Sequence, residues 1–244
     1  MRVEQEPAYV LHARPYRETS LLVEVFSRRH GRLGLLAKGA KRRKSPLAGL
    51  LLPFLPLRLS WSGRGELGVV TGAEGAGPAH PLRGDALYCG FYVNELLLRL
   101  LHRHDAHEGL FGAYEAALET LAQAGAGEAP LRLFEKRLLA ELGYALVLDR
   151  AACGGPLEAE ALYRYEPERG PVRVNGAGGQ GLLVHGRTLL ALGADRLDDP
   201  EVLGEAKRLM RGVLAVQLDG RPLHSRVLFR RLHALRRGAE EAGP

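Results

Sequence analysis

The chain has 244 residues, is 46% hydrophobic and carries a net charge of +6, which excludes wholesale disorder and leaves room for one large domain or two to three small ones. The charge is uneven, with +7 over residues 1–80, −6 over 81–201 and +5 over 202–244, an asymmetry that favours a nucleic-acid or other anionic partner. Only Cys89 and Cys153 occur, without disulfide-type spacing, and no run approaches the ~18 apolar residues of a membrane span, so neither a disulfide scaffold nor a transmembrane protein fits. Met1–Pro7 holds acids and a proline where a signal peptide needs an apolar run, and a reducing cytoplasm is the expected compartment.

Tyr9–His12, Leu21–Phe26, Arg32–Ala37, Leu55–Trp61 and Leu67–Thr71 are short runs rich in Leu, Val and aromatics, separated by polar or glycine turns. Five strands in about 70 residues predict a small closed barrel of the OB-fold type, whose usual ligand is single-stranded nucleic acid. Tyr9, Tyr16, Phe26, Phe54 and Trp61 lie among them. An exposed aromatic beside a basic groove stacks a base, but small barrels fill their interiors with side chains, so most belong to the core. Phe26, on the Glu24 side of its strand, is the one singled out for base stacking.

From Val25 to Gly65 the chain carries Arg28, Arg29, Arg32, Lys38, Lys41, Arg42, Arg43, Lys44, Arg58 and Arg64 and not one Asp or Glu. Lys38–Pro46 reads as the loop leaving the third strand, bent by Gly39 and stopped by Pro46. Such a loop suits a polyanion, because each neutralised phosphate releases condensed counterion and adds affinity without a particular base. A metal-dependent nuclease would need carboxylates among these strands, and the stretch has none. The plain alternative is a solvated charge run, against which the segment lies between apolar strands rather than at a terminus.

Ala73–Pro81, rich in glycine and proline, marks a domain boundary. Helices follow: one capped by Asp85 and running to about Leu101, one over Gly109–Gln123, and a third with Pro130 at its first position and Gly143 at its end. On the third, Leu131, Phe134, Leu138 and Leu142 form the apolar stripe, which leaves Arg132, Lys136 and Arg137 as expected exposed cations. Ala151–Arg187 reads as a small β insertion with strands near Ala161–Tyr165 and Val172–Val174. Asp199-Pro200 opens a helix to about Gln217, and Ser225 caps a last one ending at Gly238. There Arg226, Arg230, His233 and Arg237 recur on one face opposite Leu228, Leu232 and Leu235, a second candidate for phosphate contact. The expected organisation is α+β: a five-stranded OB-fold barrel at 1–80, an α-helical domain at 81–150 and 188–244, and the insertion at 151–187.

Other motifs carry less. Gly176–Gly181 has the letters of a dinucleotide fingerprint, but Leu182–His185 continues as strand or loop where a helix is required. Gly34–Gly39 starts like a phosphate-binding loop, yet Ala40 stands where lysine is needed. Of His102, His104 and His107, only the last two have a helical ligand spacing, and a polar helix end is the simpler account. No nucleophile setting or cofactor motif supports an enzyme. An OB-fold RNA-binding module and a scaffold with solubilising basic ends remain the rivals.

Tyr9-Val-Leu-His-Ala-Arg-Pro-Tyr-Arg-Glu-Thr-Ser-Leu21, Gly31–Gly39 with the basic loop, and Leu47-Ala-Gly49 together resemble the RecO family of DNA repair proteins. The likeness continues through Leu87-Tyr88, Tyr92–Leu96, Leu131–Glu135, Leu142-Gly-Tyr144, Tyr163–Tyr165, Ala206–Arg208 and Pro222–Phe229. The resemblance implies a recombination mediator that binds single- and double-stranded DNA, anneals complementary strands, and with RecR helps RecA replace single-strand binding protein. It implies that Arg132, with Phe134 beside it, meets the acidic C-terminal tail of that protein, for which a guanidinium beside an apolar pocket is chemically apt. Many family members carry a four-cysteine zinc finger in the insertion. Only Cys153 stands there in this chain, so the metal-free branch is expected, with no cofactor.

Overall fold

The computed structural model describes residues 2–63, 65, 67–124, 127–174 and 181–241, with side chains described except at 124 and 236–241. Five strands, β1 (Arg2–Tyr16), β2 (Ser20–Ser27), β3 (Gly31–Ala37), β4 (Leu57–Ser62) and β5 (Leu67–Gly75), close into a barrel in the order β1-β2-β3-β5-β4. All neighbours are antiparallel except β3 and β5. This is the expected OB-type barrel. β1 is much longer than Tyr9–His12, because its first half pairs β4 and its second half pairs β2. Register shifts after Val3 and Val10 bend it around the barrel. Val10, Val23, Val25, Leu33, Leu35, Leu57 and Leu59 fill the interior.

Helices α1 (Asp85–Leu100), α2 (Glu108–Ala124) and α3 (Glu128–Glu141) precede a three-stranded sheet of β6 (Leu162–Glu166), β7 (Gly170–Arg173) and β8 (Leu182–His185), ordered β7-β6-β8. Helices α4 (Gly186–Gly193), α5 (Pro200–Gln217) and α6 (His224–Glu241) follow. Among the described residues no helix is long and apolar enough to cross a membrane. Asp199 caps α5 through Glu201 N and Val202 N, as its sequence predicts. Three helix starts differ from expectation. Gly84, not Asp85, is the N-cap of α1; Pro130 is the third residue of α3; and α6 begins at His224 with its first amides held by Glu95 rather than by Ser225. Helix α4 was not expected, since eight residues with three glycine or β-branched positions give a weak local signal.

The compact units do not follow the expected division. One holds 1–126 with 222–244, the other 127–221. In the first, α1 and α2 close over the barrel: Asn94 Nδ2 donates to Leu11 O at 3.0 Å, and Tyr114 Oη donates to Asn94 Oδ1 at 2.7 Å. Tyr9 and Phe26 pack against Phe111 and Tyr114 with centroids 5.1–6.0 Å apart. Burial pushes the Tyr114 phenol well above its ordinary range. Phe26 is therefore core and no platform for a base, because α2 covers the strand face that alternation leaves outward. In the second unit the small sheet packs on helices rather than standing as a separate insertion. Tyr163 and Tyr165 are buried, and their hydroxyls accept from Glu158 N and Val147 N respectively.

Candidate nucleic-acid interface

The stretch that is continuous in sequence is divided in space. Strand β3 runs from the Arg28–His30 turn to Lys38, seven residues at ~3.3 Å each, so the two cationic groups lie about 20 Å apart along the barrel. At the turn end the arginines are engaged. Arg28 reaches Glu115 at 3.0 Å and lies over Phe111; Arg29 clamps Glu6, which is fully buried, with contacts of 2.6–2.8 Å; Arg32 meets Glu24 at 3.2 Å and donates to Leu98 O and Leu101 O. The hydrogen bonds and charge of Glu6 raise Arg29 above its ordinary range. Arg103 also pairs with Glu24. Arg28 and Arg32 thus tie the barrel to the helices that cover it, while Arg29 ties the β2–β3 turn to β1.

The loop after β3 is the reverse case. Lys38, Lys41, Arg42, Arg43 and Lys44 are all exposed, and among the described residues no ion pair or side-chain hydrogen bond engages them. The backbone beneath is built. Arg42 N, Ser45 N and Ala48 N each donate to the carbonyl three residues back, at Gly39, Arg42 and Ser45, in successive turns. Ala40 and Leu51 are buried in the barrel core with Leu47 and Leu50 packed beside them, so the loop is anchored at both ends. Lys41 N donates to Thr19 O at 2.9 Å, which binds the loop to the β1–β2 turn.

That turn brings in residues that the run of charge did not identify. Arg14, Tyr16 and Arg17 are exposed at this end of the β1–β2 hairpin, with Glu18 the one carboxylate at the tip. The alternation of His12, Arg14 and Tyr16 along β1 is the sequence signal for them, and it continues past the apolar run Tyr9–His12.

The second expected basic face is in part turned inward, at Arg226 and His233. Arg226 lies over the Tyr92 ring at 5.8 Å, Phe229 packs on Tyr88, and His233 Nε2 stands 3.1 Å from Asp85 Oδ2, so this side of α6 meets α1. Leu228 and Leu235, on the side opposite the basic residues, are exposed. The reason is that α1 offers Tyr88, Tyr92 and acids, which complement Arg226, Phe229 and His233 better than they would a leucine stripe. Arg230 remains exposed, and the Arg237 side chain lies outside the described residues, as do Arg64 and Gly176–Gln180.

Arg132 is likewise not the exposed cation expected on α3. It is 3% exposed and bonded to Glu135, itself 1% exposed, and Phe134 is buried beside them. Lys136 folds back onto Leu192 O and Asp195, which leaves Arg137 the only exposed one of the three. His102, His104 and His107 lie in the segment before α2 rather than on a helix, so the helical ligand spacing is not realised. Among the described residues no three His, Cys, Asp or Glu side chains come together as metal ligands.

Comparison with known proteins bears on the same regions. Residues 1–79 match the family model "Recombination protein O N terminal", and residues 82–227 match "Recombination protein O C terminal". The chain is 53% identical over 236 residues to DNA repair protein RecO of Nitrosococcus oceani, covering 96% of each chain. It is 48% identical to that of Dechloromonas aromatica, covering 96% of this chain and 98% of the other, and 51% identical to that of Methylococcus capsulatus, covering 94% of each.

Proposed function

Since this chain belongs to the RecO family of DNA repair proteins, we propose that it is a recombination mediator whose DNA-binding surface is the loop Lys38–Lys44. In this reading it anneals complementary strands and, with RecR, helps RecA replace single-strand binding protein in the cytoplasm. The observation that carries it is the anchored loop of five exposed cations without carboxylate partners among the described residues. Annealing requires charge neutralisation on two strands and no covalent step, so it needs no nucleophile or cofactor. Both single and double strands present phosphates that the loop accepts. Arg28, Arg29 and Arg32, already paired with carboxylates, contribute less.

In the same reading the tail of single-strand binding protein meets Arg132 and Phe134, which the family resemblance supports. Arg132 must then exchange Glu135 for the tail carboxylate, so this contact involves a local rearrangement of α3.

The test is annealing of complementary oligonucleotides coated with single-strand binding protein, comparing the native chain with Lys41→Gln/Arg42→Gln/Arg43→Gln/Lys44→Gln. Acceleration by the native chain, lost in the variant, is the expected result. A variant that anneals and binds with native affinity and salt slope overturns the loop assignment.

A further inference from the structure

Of the barrel aromatics named by the sequence, Tyr9, Phe26, Phe54 and Trp61 are all buried, and Tyr16 alone is exposed, at 39%. It is the last residue of β1, paired with Ser20 across the turn. Arg17 takes a left-handed backbone conformation, φ 51°, and its guanidinium lies 5.4 Å over the Tyr16 ring. One face of the ring is thus held by a cation, and a ligand would take the other. The Lys41 N to Thr19 O bond fixes this turn to the cationic loop. Arg14, two residues before Tyr16 on the same strand face, adds a further exposed charge.

We propose that Tyr16, flanked by Arg14 and Arg17, is a base-stacking platform that makes the loop site favour unpaired strands over duplex. The inference rests on the assignment of the loop as the DNA-binding surface and extends it to the form of the ligand. A strand whose phosphates lie along Lys38–Lys44 can turn a base onto the ring, and stacking of this kind tolerates any base because every base has a π-face. A duplex keeps its bases stacked on one another and offers the ring nothing, so it gains only from charge neutralisation. Pairing of two strands therefore removes the Tyr16 contact, and the annealed product is held less tightly than its substrates.

The experiment measures anisotropy of labelled oligothymidylate, an abasic strand of equal length and a duplex with the full chain. Tyr16→Ala is expected to weaken oligothymidylate binding about tenfold, to leave abasic and duplex binding unchanged, and to be reversed by Tyr16→Trp. Equal losses on all three ligands, or no loss on any, overturn the platform. The four-residue loop variant separates the two ideas. If it binds all three ligands as the native chain does, the loop assignment falls and takes the platform with it; if it loses all three while Tyr16→Ala changes none, only the platform falls.

Discussion

Glu95, on α1, holds the start of α6 through Ser225: its Oε2 accepts from Ser225 N at 2.8 Å and from Ser225 Oγ at 2.7 Å, and Oε1 accepts from His224 N at 2.9 Å. A carboxylate from another helix thus does the work of an N-cap and also meets the positive end of the helix dipole. Burial raises the Glu95 carboxyl, but the hydrogen bonds from Ser225 and His224, with Arg99 nearby, outweigh it and leave the group below its ordinary range. A carboxyl lowered on folding contributes stability that is full above its unfolded range, near pH ~4.3, and lost as pH falls through the folded value. Glu95→Gln should therefore speed amide exchange in α6 at neutral pH and flatten the acid-side loss of protection that the native chain shows. Unchanged exchange rates in α6 would show that Tyr88, Tyr92 and Asp85 hold the helix without it.

Arg29 and the loop cations should separate stability from binding. Glu6 is fully buried and takes both the Arg29 backbone amide and its guanidinium, so Arg29→Ala leaves a buried carboxylate without its Nε and Nη2 contacts and should lower the melting temperature. Its effect on the salt dependence of DNA binding should be slight. Neutralising Lys41–Lys44 should do the opposite, with little change in melting but a salt slope for single strands reduced by about 0.7 for each phosphate the loop no longer neutralises. Matching melting curves and salt titrations for the two variants would contradict the division between them.

Much of this was legible locally. Strands β2 and β3, the loop, the Asp199 cap and the Gly143 stop at φ 84° depend on a few neighbouring residues, and sequence carries that information directly. What it concealed are partners outside the stretch: Glu115 and Glu6 on Arg28 and Arg29, Glu24 of the neighbouring strand on Arg32, α2 over Phe26, and α1 beneath α6. A stretch without acids looked free of ion pairs, because the acids come from elsewhere in the chain. The orientation of α6 was hidden for a related reason: which of its sides is covered depends on the aromatic and acidic surface of α1.

Tyr114 and Asn94 join α2, α1 and β1 through one buried chain of hydrogen bonds that ends on Leu11 O. Tyr114→Phe keeps the ring against Tyr9 and Phe26 and removes the donor to Asn94 Oδ1. The loss should be about 1–3 kcal/mol, the cost of leaving a buried acceptor unsatisfied. Denaturant unfolding measures it, and a value near zero would mean that Asn94 turns to another donor.

Arg132 and Glu135 form a buried pair, and breaking it from either side should be costly in different ways. Glu135→Gln removes the charge that Glu135 sets against an almost entirely enclosed guanidinium, and should lower stability measurably. If the tail of single-strand binding protein takes Arg132, the same substitution releases the guanidinium from its competitor, and tail-peptide affinity should rise even as stability falls. Arg132→Ala should lose stability and tail affinity together. Titrating the peptide against both variants under conditions where each is folded decides the matter. Equal affinities for Arg132→Ala and the native chain would move the tail site elsewhere, and lower affinity in Glu135→Gln would mean that Glu135 orients Arg132 for the tail instead of competing with it.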